Sequence, residues 1–306
     1  MPAPSPASSR CAEHRPPRRA RGAAIVLALL TTFILASFAS SMLAAYGDAV
    51  EVLAGRHDHA QARRLARAAV DWGRNVLADD ARNGIDHLGE PWALKLPPTP
   101  VEDGEVGGEL NDLSGRFDLN SLAPAGTPDK TAIAAFGRLL AAVGESPAGI
   151  ERIAAGLIAR LQPAPATEPG QRTGPLLHPD ELLALPDLST ALFERLKPHV
   201  AALPAASRLN VNTASAEVLH ALIPGLPLDA ARVLAADRDR AWFRTLEEFN
   251  ARLPASADAA SGERFGVRTR YFLATGRARY GLATTQMEVL LDRQRVWPEI
   301  LWQRML

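Results

Sequence analysis

Residues 18–47 read RRARGAAIVLALLTTFILASFASSMLAAYG, a basic cluster followed by a long uncharged run. From Ala23 to Gly47 there are 25 residues without a charged side chain. As a helix they measure roughly 37 Å at about 1.5 Å per residue. A bilayer core is roughly 30 Å thick, so the run spans it with some tilt. Residues 1–22 are rich in Pro, Ser and Arg, with Arg10, Arg15, Arg18, Arg19 and Arg21 set against Glu13. A basic arm before an apolar span predicts a cytoplasmic N-terminus and an exported C-terminal part. The run is longer than the apolar region of a secretory signal peptide, roughly 7–15 residues.

Helical periodicity continues beyond the apolar run. Between Glu51 and Arg82, Leu65, Ala69, Trp72 and Val76 are spaced 4, 3 and 4 and share one face, with Arg63, Arg64, Arg67 and Arg74 between them. A helix of about 55 residues is predicted, apolar first and amphipathic after. Pro91 to Pro100 (PWALKLPPTP) breaks it and starts a connector. Gly107 to Asn120 reads as two short strands around an Asp112–Gly115 turn. From Thr127 to about Arg160 the stripe is helical, through Ile133, Phe136, Leu139, Leu140 and Val143 and then Ile150, Ile153, Leu157, Ile158 and Leu161. Residues 162–175 form a Pro/Gly-rich loop, and helical segments resume to about Arg252. Tyr271–Ala274, Arg277–Leu282 and Met287–Leu291 then read as strands, with Gly276 and Gly281 at turns. The order predicts an α+β fold: a long N-terminal helix packed on a small antiparallel sheet, with a large all-α domain inserted between the strands.

The inserted block holds a loose repeat. His178–Leu188 lines up with Thr213–Leu226, each a capped helix with Pro near its end. The second copy, preceded by Leu209-Asn210-Val211-Asn212, resembles a helix-hairpin-helix module, which holds DNA phosphates on hairpin N–H groups. Here the hairpin is Pro224-Gly225-Leu226-Pro227, which lacks a second Gly, and Pro227 has no N–H to donate.

Composition narrows the function classes. The 306 residues include 34 Lys+Arg and 34 Asp+Glu, which argues against nucleic-acid binding by bulk charge. Only Lys95, Lys130 and Lys197 are lysines. The single cysteine, Cys11, excludes an intrachain disulfide framework, a CxxC redox site and a Cys-rich zinc site. No GxGxxG, Walker A, HExxH or GxSxG motif is present, which leaves a membrane-anchored enzyme of another type as a reading without a visible titratable cluster. His57 and His59 lie roughly 200° apart around a helix, poorly placed to share a metal. Glu102, Asp103, Glu105, Glu109 and Asp112 form an acidic run with no basic residue between Lys95 and Arg116. Clustered carboxylates suit calcium, but the run lacks EF-hand spacing, and a solvated charged loop is the other reading. Trp242-Phe243, Trp297 and Trp302 read as core or interface anchors.

Four features together resemble one family. They are the Arg-rich arm ending in Gly22, the motif Leu113-Ser114-Gly115-Arg116-Phe117-Asp118-Leu119-Asn120-Ser121-Leu122, the segment Leu209–Ala214, and the closing strands before Leu290-Leu291-Asp292-Arg293. In order and spacing they resemble the type II secretion system protein K family, the large minor pseudopilins of the general secretion pathway. The resemblance implies a pilin-like fold and a prepilin leader, residues 1–22, cut by a prepilin peptidase between Gly22 and Ala23, with methylation of the new N-terminus a family feature. An uncleaved signal anchor is the other reading of those residues.

It further implies a transmembrane stem half at 23–47, a periplasmic stem half at 48–90, first sheet strands in 91–125, the inserted all-α domain at 126–262 and closing strands at 263–306. The chain would be a single-pass inner-membrane protein with a periplasmic C-terminal domain and no catalytic role. It would stand at the pseudopilus tip with I-type and J-type minor pseudopilins, start assembly on the inner-membrane secretion platform, limit fibre length and serve the export of folded exoproteins. Ala36, Ala39, Ser40, Ala44 and Ala45 would let stem helices approach closely. Where most pilins carry Glu at the fifth position after the cut, this chain has Leu27. A subunit that starts a fibre has no preceding amino terminus to pair such a carboxylate, and an unpaired one is costly in a membrane. Some relatives bind calcium, but no family ligand maps onto the acidic run. The alternative from another class is a membrane-anchored periplasmic DNA-binding or DNA-uptake protein built on the helix-hairpin-helix module.

Overall fold

The computed structural model describes residues 19–81, 84–163 and 173–306, with side-chain exposure from residue 22 onward. Cys11 and most of the expected leader, including Arg10, Arg15 and Arg18, lie outside the described residues, as does most of the 162–175 loop. The chain forms two compact units, Met1–His57 and Asp58–Leu306. Helix α1 (Arg19–Asp80) is 62 residues long. No proline lies between Pro17 and Pro91 to interrupt it.

In the first unit the side chains of the apolar run are exposed; Phe33 is 70% and Leu43 74% accessible. Its hydroxyls return to the helix backbone. Thr31 Oγ1 donates to Ala28 O (2.9 Å), Thr32 Oγ1 to Leu29 O (2.9 Å) and Ser41 Oγ to Phe38 O (2.8 Å). A polar group so satisfied is far cheaper to place in lipid than a free one.

The second unit is built on a five-stranded antiparallel sheet in the order β1–β2–β7–β8–β9. Its strands are β1 (Leu96–Val101), β2 (Gly104–Asp112), β7 (Tyr271–Tyr280), β8 (Ala283–Asp292) and β9 (Glu299–Met305). Between β2 and β7 come β3 (Phe117–Asp118), α2 (Lys130–Ala142), α3 (Pro147–Leu161), α4 (Thr190–Leu196), β4 (Val200–Ala201), β5 (Leu209–Asn210), α5 (Ala216–Leu222), α6 (Leu228–Arg240), α7 (Leu246–Asn250) and β6 (Phe265–Gly266). β2 and β7 are hydrogen-bonded neighbours, with Asp112 opposite Phe272. The helical block therefore leaves and rejoins the sheet at one point, the condition under which an insertion leaves its host sheet intact.

Two cores result. Ala66, Val70 and Leu77 of α1 pack with Trp92 against Leu110, Phe272, Ala274, Ala278, Val289 and Leu291 on one sheet face. On the other face, Tyr271 and Leu290 meet Leu113, Ala201 and Leu203 from the block's side. The block has its own core, with Phe117, Phe136, Leu157, Phe193, Leu219, Phe243 and Phe249 buried. Of its helices α2 to α7, five start on side-chain caps, Asp129 for α2, Ser146 for α3, Ser189 for α4, Ser215 for α5 and Thr245 for α7, whereas α6 starts after Pro227 without one.

Several expectations are corrected. Gly276 is not a turn; it lies inside β7, where a Cβ would meet the Ala66 carbonyl of α1. Glycine here permits close helix–sheet approach, so one long strand replaces two short ones. The Pro91–Pro100 connector contains most of β1, an edge strand whose pairing with β2 is irregular between Leu96 and Thr99, the kind of position where a sheet tolerates proline. β9 lies beyond the strands expected at 271–291; it carries no apolar alternation, since its side chains alternate between exposed and half-buried and include Glu299, Gln303 and Arg304. Phe117–Asp118 does not pair with β2 but joins β4 in parallel, within the block. The 127–160 stripe splits into α2 and α3 around Gly144, whose φ is 88°. The first repeat copy is a 3-10 turn, Pro179–Ala184, closed by a His178/Glu181 capping box. α1 ends at Asp80, short of the boundary expected at 90; the chain beyond it turns at Gly84 (φ 75°), and Asp86 N donates to Val267 O (2.8 Å).

Candidate functional site

Three motifs singled out in the sequence converge where the block joins the sheet. Asp112, at the end of β2, is buried. Its Oδ1 accepts from Ser114 N (2.6 Å) and Gly115 N (3.2 Å). Its Oδ2 accepts from Thr213 Oγ1 (2.5 Å), Asn210 Nδ2 (3.3 Å) and Thr269 Oγ1. Asn210 Nδ2 also donates to Asp86 O (3.0 Å) and Thr269 Oγ1 (2.8 Å). Gly115 is needed at its position, since a Cβ there would strike the backbone of Thr213 and Ala214.

Arg293, just after β8, completes the joint. Its guanidinium donates to Asp80 Oδ2 (2.9 Å), to both oxygens of Asp86 (2.5 Å each) and to Thr269 O (2.9 Å). Asp86 Oδ2 also accepts from Thr269 N (2.6 Å). Glu90 Oε2 accepts from His87 N (2.9 Å) and Trp92 Nε1 (2.7 Å). Segments around residues 80–90, 112–115, 210–213, 269 and 293 are thus tied by charge-assisted hydrogen bonds in a buried place, where such bonds are strong. A second clasp lies nearby. Asp118 Oδ1 accepts from Asn120 N and Leu203 N (3.1 Å each), and Asn120 bonds Leu176 and Leu203.

Burial sets the protonation of these acids. It pushes Asp112 above the usual carboxylate range, while the Thr213 and Thr269 hydroxyls hold it back. Asp80 is pushed up to about 6 by burial and then by the Glu90 charge, against the pull of Arg293. Asp118 is raised to about 6 by burial, against two backbone hydrogen bonds. His87 is lowered by burial, and its ring stacks on Trp242 at 3.8 Å.

The acidic run is not gathered. Glu102 and Asp103 occupy the β1–β2 turn, Asp103 at φ 56°. Glu105 pairs with Arg279 (3.0 Å), and Glu109 with Lys95 (2.8 Å) and Arg277 (3.3 Å). Asp112 belongs to the joint. Among the described residues, the carboxylates that converge within 4.8 Å are those of Asp80, Asp86 and Glu90, and Arg293 already bridges two of them. Ala36, Ala39, Ser40, Ala44 and Ala45 lie exposed on α1, as do Gly22 and Ala23. In the hairpin, Gly225 (φ 75°) sits against the backbone of Ser256, Leu226 N donates to Ile223 O, and Pro224 O accepts from Asp258 N, so the hairpin is folded onto its own chain. Phe243 is buried, whereas Trp242 and Trp297 are about half exposed. Asp80, Asp86 and Thr269 were not singled out in the sequence. Lone acids and a lone threonine carry no local signal, because their partners lie far along the chain.

A family model described as type II secretion system (T2SS), protein K matches residues 209–268, and another with the same description matches residues 115–205. The type II secretion system protein K of Pseudomonas aeruginosa is 31% identical over 281 residues, which covers 83% of this chain and 83% of that protein. The Klebsiella pneumoniae protein of that name is 29% identical over 304 residues, covering 90% of this chain and 93% of its own. Among solved structures, the fold is similar to a chain of the GspK-GspI-GspJ complex from the enterotoxigenic Escherichia coli type 2 secretion system. The TM-score is 0.68 at 23% identity, over 82% of this chain and 97% of that one.

Proposed function

The chain belongs to the type II secretion system protein K family, and from that premise we propose that it is a minor pseudopilin at the tip of a periplasmic pseudopilus. The observation that carries the proposal is the pairing of an exposed apolar helix, long enough to cross a membrane, with a sheet that bears an inserted helical block. The helix anchors the chain in the inner membrane with its N-terminus cytoplasmic, as the basic arm requires. Prepilin peptidase cuts between Gly22 and Ala23 and leaves the helix in the membrane. I-type and J-type minor pseudopilins are its partners, by analogy with the complex named for the similar structure.

The role is structural. The chain starts assembly on the inner-membrane platform, and the bulk of the block, which has its own core, stops a further subunit from being added and so limits fibre length. Exoproteins are then moved by the growing fibre. The small stem residues at 36, 39, 40, 44 and 45 give close helix packing within the membrane.

The test is the intact mass of the membrane-extracted chain made with and without a prepilin peptidase. Loss of residues 1–22 only in the peptidase's presence is expected. A full-length mass in both samples sinks the pseudopilin reading. Leu27→Glu is expected to insert and to weaken crosslinking to the I-type subunit; unchanged crosslinking and secretion count against the tip placement.

A further inference from the structure

Beside the joint, a solvent-open pocket of about 390 Å³ is lined by Arg208, Arg268, Arg270 and Arg293 with Ser207 and Gln294, and no carboxylate is among its lining residues. In a chain with equal numbers of acids and bases this is an uneven distribution. Two of the four cations are satisfied from behind. Arg270 is held by Asp292 (Nη2–Oδ2 2.8 Å), and Arg293 by Asp80 and Asp86. Arg208 and Arg268 are exposed and have no acidic partner among the described residues. The fold puts them there on separate segments. Leu209 pairs with Phe265 in the parallel β5–β6 bridge, and the Arg208 side chain lies across Gly266, which has none of its own.

We infer that this pocket is a binding site for an acidic peptide segment of a protein partner, its carboxylates received by the guanidinium forks of Arg208 and Arg268. Arginine is suited to the task because its planar donor fork matches a carboxylate. The volume is within the range of ligand pockets, roughly 300–1,000 Å³. The backbone decides between a peptide and a free phosphate. A phosphate site is ordinarily built from convergent amide N–H groups. Here the amides of the floor are used: Thr269 N on Asp86 Oδ2, Arg270 N on Ser114 Oγ, Arg293 N on Arg270 O and Gln294 N on Asp292 Oδ1. What remains is two side-chain cations at the rim of an open concavity. That arrangement favours a chain bearing several carboxylates over a single enclosed ion.

The experiment uses the full chain in nonionic detergent and the fluorescence anisotropy of a labelled peptide of alternating Glu and Gly, with a Gln/Gly peptide as control. The Glu peptide is expected to bind, more weakly as salt rises, and the Gln peptide not to bind. Arg208→Ala with Arg268→Ala is expected to lower affinity roughly tenfold or more, the scale of lost charged hydrogen bonds. Arg208→Lys with Arg268→Lys, which keeps charge but not the fork, is expected to fall between, and it stands in if the alanine variant does not fold. Arg63→Ala with Arg67→Ala, on the exposed face of α1, is expected to bind like the parent. The inference is overturned by absent binding, by equal losses in the two alanine pairs, by unchanged binding in the Arg208/Arg268 variant, or by inorganic phosphate displacing the peptide at its own concentration.

Discussion

Two stretches of one helix invert the usual relation between composition and burial. Residues 23–47 are the more apolar, yet their large side chains stand exposed. Residues 58–80 hold Arg63, Arg64, Arg67 and Arg74, yet Ala62, Ala66, Val70 and Leu77 are buried there. What buries a helix face is a complementary surface, and the second stretch has one: the sheet, with Gly276 cleared beneath Ala66. The first stretch carries an apolar surface whose complement is a membrane or other stems. Stability of the Asp58–Leu306 unit should therefore be sensitive to the seam and the joint, and blind to the apolar stretch.

The largest effect is expected at Arg293. Arg293→Ala leaves Asp80 and Asp86 buried without their cation, a change that typically costs about 3–5 kcal/mol. Urea unfolding of the full chain in detergent, followed by tryptophan fluorescence, should show that loss. A loss below about 1 kcal/mol would reduce the joint to a surface ion pair. Gly276→Val comes next, at about 1–3 kcal/mol from overpacking against α1. Gly55→Ala, in open space on the same helix, should leave stability level or raise it slightly.

The pH dependence sharpens the comparison further. Asp80 and Asp118 are raised from 3.8 to about 6. A raised carboxylate favours the folded state fully below the unfolded value and loses that contribution as pH rises through the folded one. The unfolding temperature should therefore fall between pH 4 and pH 6.5, and Asp118→Asn should flatten the fall; a rise over that interval would refute it. The smallest effect belongs to the apolar stretch. Leu43→Ser should change unfolding of the Asp58–Leu306 unit by less than about 0.5 kcal/mol.

Much of this was legible along the chain. The apolar run, the helical stripe of 127–160 and the strand around Tyr271 announced themselves, because each is a local periodicity that one segment carries alone. The motifs at Leu113–Leu122, Leu209–Ala214 and Leu290–Arg293 were visible as words, but not their meeting. Asp112, Asn210 and Arg293 are brought together only when β2 pairs with β7 and returns the block to its starting point. Asp86 and Thr269, which close that network, carry no sequence signal at all.

The chain's own order of residues was enough for a membrane-length helix, an α+β order of elements and the family, since these depend on composition, spacing and motif. The position of Gly276 under α1, the edge strands β1 and β9, the dispersal of the acidic run and the arginine pocket were decided by tertiary packing. Each depends on which distant segments share a surface, and no local pattern encodes a partner that lies across the sheet.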